Sequence, residues 1–474
     1  MTQTHDLSAT RMAAAVRTGE VSPVELTEHY LARIERLDAL VGAYVTVTAE
    51  RARDEARRAE KAVKDAADPA DLPPLHGVPV PVKDLNMVDG VRFTGGSAVY
   101  ADLTGFADDN VVSKLRRAGS VLLGKTAAPE FGLPCYTEGD VSPPSRTPWD
   151  LSRSAGGSSG GAAAAVAAGL APAAQGSDGG GSIRIPSSVC GLFGIKPTRG
   201  RISHGPIVPD LFGLAANGPI ARTVGDAALL LDVMAGPMPG DLYAAPPVEG
   251  TFASYAGRPP GRLRIGRNRE PAVPGAVVHP DCVAAYDAAS ELLVELGHEV
   301  VDMPRVFGPD LLPHFETLWA VMATTTPVAD ESEHLLQPLT RWLRARGEAT
   351  TAPQVFQAHA ALQGALRAAF PVMDEFDAIL HPTLAEPPVP VGYFHDQEPA
   401  ENFERQKRFT PFCAMYNISG QPAVNVPLHW NAEGLPIGIM LAGRLGGEGT
   451  LISLSAQLEE ARPWIGRKPD MWTA

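Results

Sequence analysis

The sequence predicts an α/β fold, because stretches with helical periodicity alternate with short apolar runs and a glycine–serine region interrupts the alternation near the middle of the chain. The first clear helix start is Ser22-Pro23 with Glu25. This is a capping box with proline at the first helical position, followed by the apolar rhythm Leu26, Tyr30, Ile34 and Leu37. A second helix is predicted over 50–66, so the N-terminal region of about 1–70 reads as helical. After a break at 68–74, the run 78–82 has the character of a buried strand, and Lys83 follows at its C-terminal end, where α/β folds gather their sites. A helix near 110–118, a strand at 121–123, the Gly/Ser-rich region 154–188, a helix at 225–234 and a strand at 263–266 continue the pattern. Helices follow at 281–296, within 311–346 and at 353–370, then strands at 378–380, 424–427 and 437–441 and a closing helix at 450–461. No fixed-period repeat interrupts this order, and the proline-rich pieces at 258–261 and 386–391 read as loops, so a single domain over 1–474 is expected.

Composition narrows the function. Asp and Glu number 54 against 40 Lys plus Arg, a formal net charge of -14, which argues against a nucleic-acid partner. The cysteines at 135, 190, 282 and 413 form no CxxC pair, so neither a zinc site nor a disulfide framework is indicated and no metal or other cofactor is expected. Residues 1–10 lack the regions of a signal peptide. The longest stretch of small apolar residues, 162–174, contains Gly169 and Pro172 and is too short to span a bilayer. The expectation is a cytoplasmic chain without a membrane partner.

The chemistry concentrates in Gly156-Gly157-Ser158-Ser159-Gly160-Gly161, an alanine-rich helix, and then Gly176-Ser177-Asp178-Gly179-Gly180-Gly181-Ser182-Ile183-Arg184-Ile185-Pro186. Consecutive glycines let several backbone N–H groups converge on one point while leaving room for a substrate carbonyl, as an oxyanion hole requires. Two familiar patterns overlap this part of the chain. Residues 119–126 fit the P-loop expression, but an amphipathic helix precedes Gly119 and the Val-Leu-Leu that follows reads as strand, the reverse of the P-loop order. Gly156-Gly157-Ser158-Ser159-Gly160 fits the GxSxG elbow, yet the preceding 149–154 is polar and broken rather than a buried strand.

The chain closely resembles the amidase signature family. The resemblance runs from Gly77-Val78-Pro79-Val80-Pro81-Val82-Lys83-Asp84 through the two Gly/Ser segments to Gly194-Ile195-Lys196-Pro197-Thr198-Arg199-Gly200, Asn417-Ile418-Ser419-Gly420-Gln421-Pro422-Ala423 and Gly434-Leu435-Pro436-Ile437-Gly438. It implies a large mixed β-sheet core covered by helices on both sides, and hydrolysis of small-molecule amides through an acyl-enzyme. By that resemblance Lys83 is the base, Ser158, behind a cis peptide bond, the proton relay, and Ser182 the nucleophile, with Gly179, Gly180 and Gly181 forming the oxyanion hole beside it. Asp178 and Arg184 are expected to form a structural ion pair or hydrogen-bond network beneath the glycine loop, with Ser159 and Ser177 as further support. Phe131, Cys135, Tyr136, Trp319 and Phe412 are nominated as walls of the substrate pocket, and 305–375 as a variable helical region that shapes it.

One branch of the family is the glutamine-amidase subunit of a tRNA-dependent amidotransferase complex, and it carries Gln after Ser-Ile-Arg. Here that position is Ile185, which favours a stand-alone amidase, and Arg199-Gly200-Arg201-Ile202-Ser203 with the closing Ala461-Arg462-Pro463-Trp464 resembles bacterial hydrolases of amino-acid oligoamides, cyclic dimers among them. Two departures bear on the pocket: Gly179 stands where the family often has a side chain, and Gly139-Asp140-Val141-Ser142-Pro143-Pro144 replaces an Asn-containing loop. Side activity on esters or urethanes is compatible with this chemistry, and a homodimer is one of the assembly states left open.

Overall fold

A computed structural model describes residues 3–473. It contains eleven strands: β1 (Tyr44–Val47), β2 (Val82–Lys83), β3 (Gly124–Thr126), β4 (Ala173–Asp178), β5 (Phe193–Lys196), β6 (Ala216–Ala221), β7 (Arg264–Arg267), β8 (Glu299–Asp302), β9 (Ala378–Pro382), β10 (Ala423–Trp430) and β11 (Pro436–Gly443). Eight of them form one sheet in the order β4-β6-β5-β10-β11-β9-β7-β8, and the other three form a small sheet, β1-β3-β2. The large sheet is mixed: pairing is antiparallel from β4 to β9 and parallel between β9, β7 and β8. Every residue of β11 is buried, so helices cover both faces at the sheet's centre.

The N-terminal region is helical over Ala9–Thr18, Pro23–Val41 and Ala49–Asp65, with β1 inserted between the last two. The capping box forms as the sequence indicates. Ser22 N donates to Glu25 Oε2 at 3.0 Å, and the helix ends where Gly42 turns left-handed at φ 60. The expected strand 78–82 is extended but joins a ladder only at Val82, because Pro79 and Pro81 have no N–H to donate. Val80 N donates to Val121 O and Val121 N to Val78 O, a sparse contact that becomes a regular parallel pair only where β2 meets β3. The expected strand 121–123 likewise starts three residues later, at Gly124.

The small sheet lies against the edge strand of the large one. Gln175 N on β4 donates to Pro81 O at 3.2 Å, and Lys83 N donates to the Gln175 side-chain oxygen at 2.9 Å. This seam brings the end of β2 beside the end of β4. The expected helices within 311–346 resolve into Leu312–Thr324 and Pro338–Glu348, followed by Ala352–Met373. No helix among the described residues is long and apolar enough to cross a membrane.

Candidate active site

Lys83 is fully buried at the end of β2. Its Nζ lies 2.8 Å from Ser158 Oγ, 3.0 Å from Ser177 Oγ and 3.3 Å from Ser177 O. No carboxylate touches it. Burial drives its ammonium from the usual lysine range down to about 7, against the through-space pull of Asp178. A lysine of this kind can hold or release a proton near neutrality.

Ser158 sits in the turn before the buried helix Gly160–Ala167, and the Gly157–Ser158 peptide bond is cis. Gly157 presses against Tyr136, where a Cβ would come within 2.6 Å of the Tyr136 backbone, so only glycine fits. Ser159 Oγ donates to Ser177 O at 3.0 Å and accepts from Ser177 N at 3.2 Å, while Ser159 N donates to Ser182 O at 3.1 Å. These bonds lock the Ser158 turn, the end of β4 and the loop carrying Ser182 into one unit.

Asp178 organises that loop from beneath. Its carboxylate accepts from Gly181 N at 2.7 Å and Ile183 N at 3.1 Å, and pairs with Arg184 through two bonds of 2.9 Å. Although burial works against the charge, Arg184 holds the Asp178 carboxyl well below the usual carboxylate range. Gly181 has φ +134, and a Cβ there would meet Ile185 and Cys413 within 2.8 Å. Gly179 and Gly180 are open by comparison. A Cβ on Gly179 would rest 3.4 Å from the Trp319 ring, an ordinary contact, so at this position the glycine widens the site rather than satisfying the backbone.

Two cavities flank the loop. The apolar one, about 100 Å³, is lined by Ser182, Gly180, Cys135 and Ile185 with Phe307, Leu311, Phe315 and Ile418. The other, about 220 Å³, is lined by Ser158, Ser177, Gly179 and Phe131. Trp319 and Leu133 border both. Of the nominated pocket walls, Phe131, Cys135 and Trp319 therefore face cavities. Tyr136 and Phe412 do not. Tyr136 stacks on Phe394 at 5.0 Å and accepts from Asn402 at 3.0 Å, and Phe412 stacks on His381 at 5.8 Å, so both belong to the core. The helix Leu312–Thr324, within the variable region, contributes Phe315 and Trp319.

Two further polar side chains support the site, and the sequence motifs assign a role to neither. Gln175 holds the Lys83 backbone and donates to Asn86 at 2.8 Å and Asn217 at 3.0 Å, an amide chain that joins both sheets. Asn417 accepts from Arg184 at 2.7 Å and donates to the Asp178 carboxylate at 2.9 Å, completing the support of the loop. Asn417 lies in a motif visible in the sequence; Gln175 lies in an unpatterned strand. The two rival motifs also resolve. Lys125 of the P-loop-like stretch is buried on β3 and bonded to Asp84 at 2.7 Å, with no position at a helix N-terminus. No strand leads into Ser158; the residues before it form turns, isolated bridges at Arg153 and Ser154, and a bend.

The Amidase family model matches residues 25–452. The chain is 35% identical to the 6-aminohexanoate-cyclic-dimer hydrolase of Paenarthrobacter ureafaciens over 98% of its own length and 96% of the relative's. It is 33% identical to the acylamidase of Rhodococcus erythropolis, covering 98% and 97% of the two chains. A solved structure of 6-aminohexanoate cyclic dimer hydrolase complexed with substrate superposes with a TM-score of 0.90 at 31% identity, covering 99% of this chain and 100% of the other. A match spanning the helical N-terminal region, both glycine–serine segments and the closing strands makes this chain a member of the Amidase family, an enzyme that hydrolyses carboxylic amide C–N bonds.

Proposed function

We propose that Ser182 is the nucleophile, Ser158 the proton relay and Lys83 the base, with the backbone N–H groups of Gly179, Gly180, Gly181 and Ser182 receiving the oxyanion. The observation that carries this reading is a fully buried amine, shifted towards neutrality and 2.8 Å from the Ser158 hydroxyl, beside a glycine loop. A serine hydroxyl attacks a carbonyl only as its proton is taken, and a neutral lysine is a competent acceptor. In the forward step the Ser182 proton passes to Ser158 as the Ser158 proton passes to Lys83, and Oγ of Ser182 bonds the substrate carbonyl carbon. Collapse of the tetrahedral intermediate breaks the C–N bond. The amine leaves with a proton returned through Ser158, and water then repeats the sequence to release the acid and regenerate Ser182. Asp178 and Arg184 hold the loop, and Ser159 and Ser177 hold the relay.

The substrates are aryl, alkyl or oligomeric amides, in keeping with the names of the relatives. Esters and urethanes are side substrates, since an acyl-enzyme accepts several leaving groups. Ile185 presents hydrocarbon beside Ser182 in the apolar cavity, which supports a stand-alone amidase over a glutamine-using subunit of a tRNA-dependent complex. The enzyme works as a single domain. A cytoplasmic setting accords with its four buried, free cysteines. The test is hydrolysis of a panel of anilides, esters and carbamates by wild type and Ser182→Ala. The variant is expected to lose about 10⁴-fold or more in kcat, and mass spectrometry should find an acyl adduct on Ser182 in the wild type alone. A Ser182→Ala enzyme with wild-type turnover would overturn the assignment.

A further inference from the structure

The cavity beyond Ser158 carries a charge that amide cleavage does not use. Its outer wall is the 203–213 loop, which contributes Asp210 and His204, and its sides include the rings of Tyr100, Phe131, Phe212 and Trp319. Asp210 is the only carboxylate among the lining residues, and no Lys or Arg lines the cavity. The charged and titratable neighbours of Asp210 are His204 and Arg199, with Asp241 of like sign, and all act on it through space. Arg199 is committed elsewhere, donating to the carbonyls of Gly213, Asn417 and Ile418. Burial pushes the Asp210 carboxyl above its ordinary value, although His204, Arg199 and a hydrogen bond from the Gly213 N–H favour its charged form.

The apolar cavity offers the opposite environment. No carboxylate lines it, and the one ammonium at its wall, on Lys407, is already held by Glu316 and Glu404. A partly desolvated carboxylate gains most from a cation that brings little hydration of its own, and aromatic faces attract such a cation. Organic ammonium groups combine both properties. An excess of acidic residues over the whole chain, formal net charge -14, acts in the same direction.

We propose that the cavity lined by Ser158, Asp210 and the rings around them is a subsite for a positively charged organic ammonium group of the amide substrate, with Asp210 as the counter-ion. This rests on the reading of Ser182, Ser158 and Lys83 given above, and it adds a substrate class. The ammonium group belongs either to the amine portion or to the acyl portion of the amide; the recognition chemistry is the same.

Two isosteric pairs of amides separate these cases. In one pair the amine portion ends in trimethylammonium or in tert-butyl; in the other, the acyl portion does. The readout is the ratio of kcat/KM for the charged member to that for the neutral member, in wild type, Asp210→Asn and Asp210→Glu. The expected result is a wild-type preference of about tenfold for the charged member of one pair. That ratio should fall to about one in Asp210→Asn and survive in part in Asp210→Glu. A ratio of about one for both pairs in the wild type, or a preference that Asp210→Asn leaves intact, overturns the proposal. Should Asp210→Asn fail to fold, calorimetric titration of the wild type with benzyltrimethylammonium and with its neutral isostere neopentylbenzene decides: binding of the cation alone supports the subsite, and equal or absent binding removes it. If the wild type turns over none of the four amides, the Ser182 reading is at fault and the titration still judges the subsite. Turnover without charge preference sinks the subsite alone.

Discussion

Lys83 and Lys125 stand on paired strands of the small sheet, both completely buried, yet their surroundings assign them different work. Lys125 meets the Asp84 carboxylate at 2.7 Å, and Asp84 is itself fixed by Thr94 N at 2.9 Å and Thr94 Oγ1 at 2.5 Å. Lys83 meets only two hydroxyls and a carbonyl, while Asp178, the anion that acts on it through space, is bonded to Arg184. Burial lowers both ammonium groups, but at Lys125 the Asp84 charge and hydrogen bond oppose it directly. Equal burial therefore does not make equal lysines. A carboxylate in contact keeps an amine as a structural cation, and hydroxyls in contact let desolvation turn it into a base.

The sharpest way to break this comparison is to remove each amine in turn. Lys83→Met should lower kcat/KM by about 10²–10⁴-fold, the range a general base contributes, with little change in the thermal unfolding temperature. Lys125→Met strands a buried carboxylate and should cost about 3–5 kcal/mol of stability. Adding Asp84→Asn, which keeps a partner for Thr94 while removing the charge, should restore part of that loss. Equilibrium denaturation set beside steady-state kinetics separates the outcomes. Were Lys83→Met to lose stability and keep its activity per folded molecule, the two lysines would be alike and the base assignment would fail.

A smaller effect, with a definite sign, is the dependence of kcat/KM on pH. Only the uncharged amine can accept the Ser158 proton, so activity should rise with pH through about 7 and level off above it. The rise should be about tenfold per pH unit on the acidic side. A profile that falls as pH increases from 5 to 7 would contradict a lysine base.

What could be read in advance depended on whether local chemistry or distant neighbours set the structure. The helix Pro23–Val41 announces itself because its cap, proline and apolar stripe are local. The closing helix Glu448–Ala461 and strand β11 are similarly plain. Strands β4 and β6 are not. They are built from Ala, Gly, Ser, Gln, Asp, Asn, Pro and a single Ile, without the β-branched alternation that marks a strand, because neighbouring chains crowd them: a Cβ on Gly218 of β6 would lie 2.2 Å from Ile195 O. Since β4 carries Gln175 and Ser177, missing that strand also meant missing the amide chain behind Lys83. In contrast, the glycine–serine segments were legible because their composition is costly unless the backbone itself has a task. Tyr136 and Phe412 were misplaced because an aromatic residue next to a motif has no local mark that separates cavity from core.

Ser177 offers the finest test of the contrast between the two lysines. A neutral amine has two N–H donors and one lone pair. If Ser158 donates to the lone pair, as a relay poised to act must, then the two donors of Lys83 fall to Ser177 Oγ and Ser177 O, at 3.0 and 3.3 Å. Ser177→Ala deletes one of these acceptors at a net cost of about 0.5–1.5 kcal/mol, so kcat should drop by roughly tenfold or less while the fold is kept. The same deletion harms the ammonium form more than the neutral one, because a hydrogen bond from a charged donor is roughly twice as strong. The acidic limb of the pH profile should therefore move to lower pH even as the plateau falls. A residue that merely packs against the site would lower the plateau and leave the limb in place.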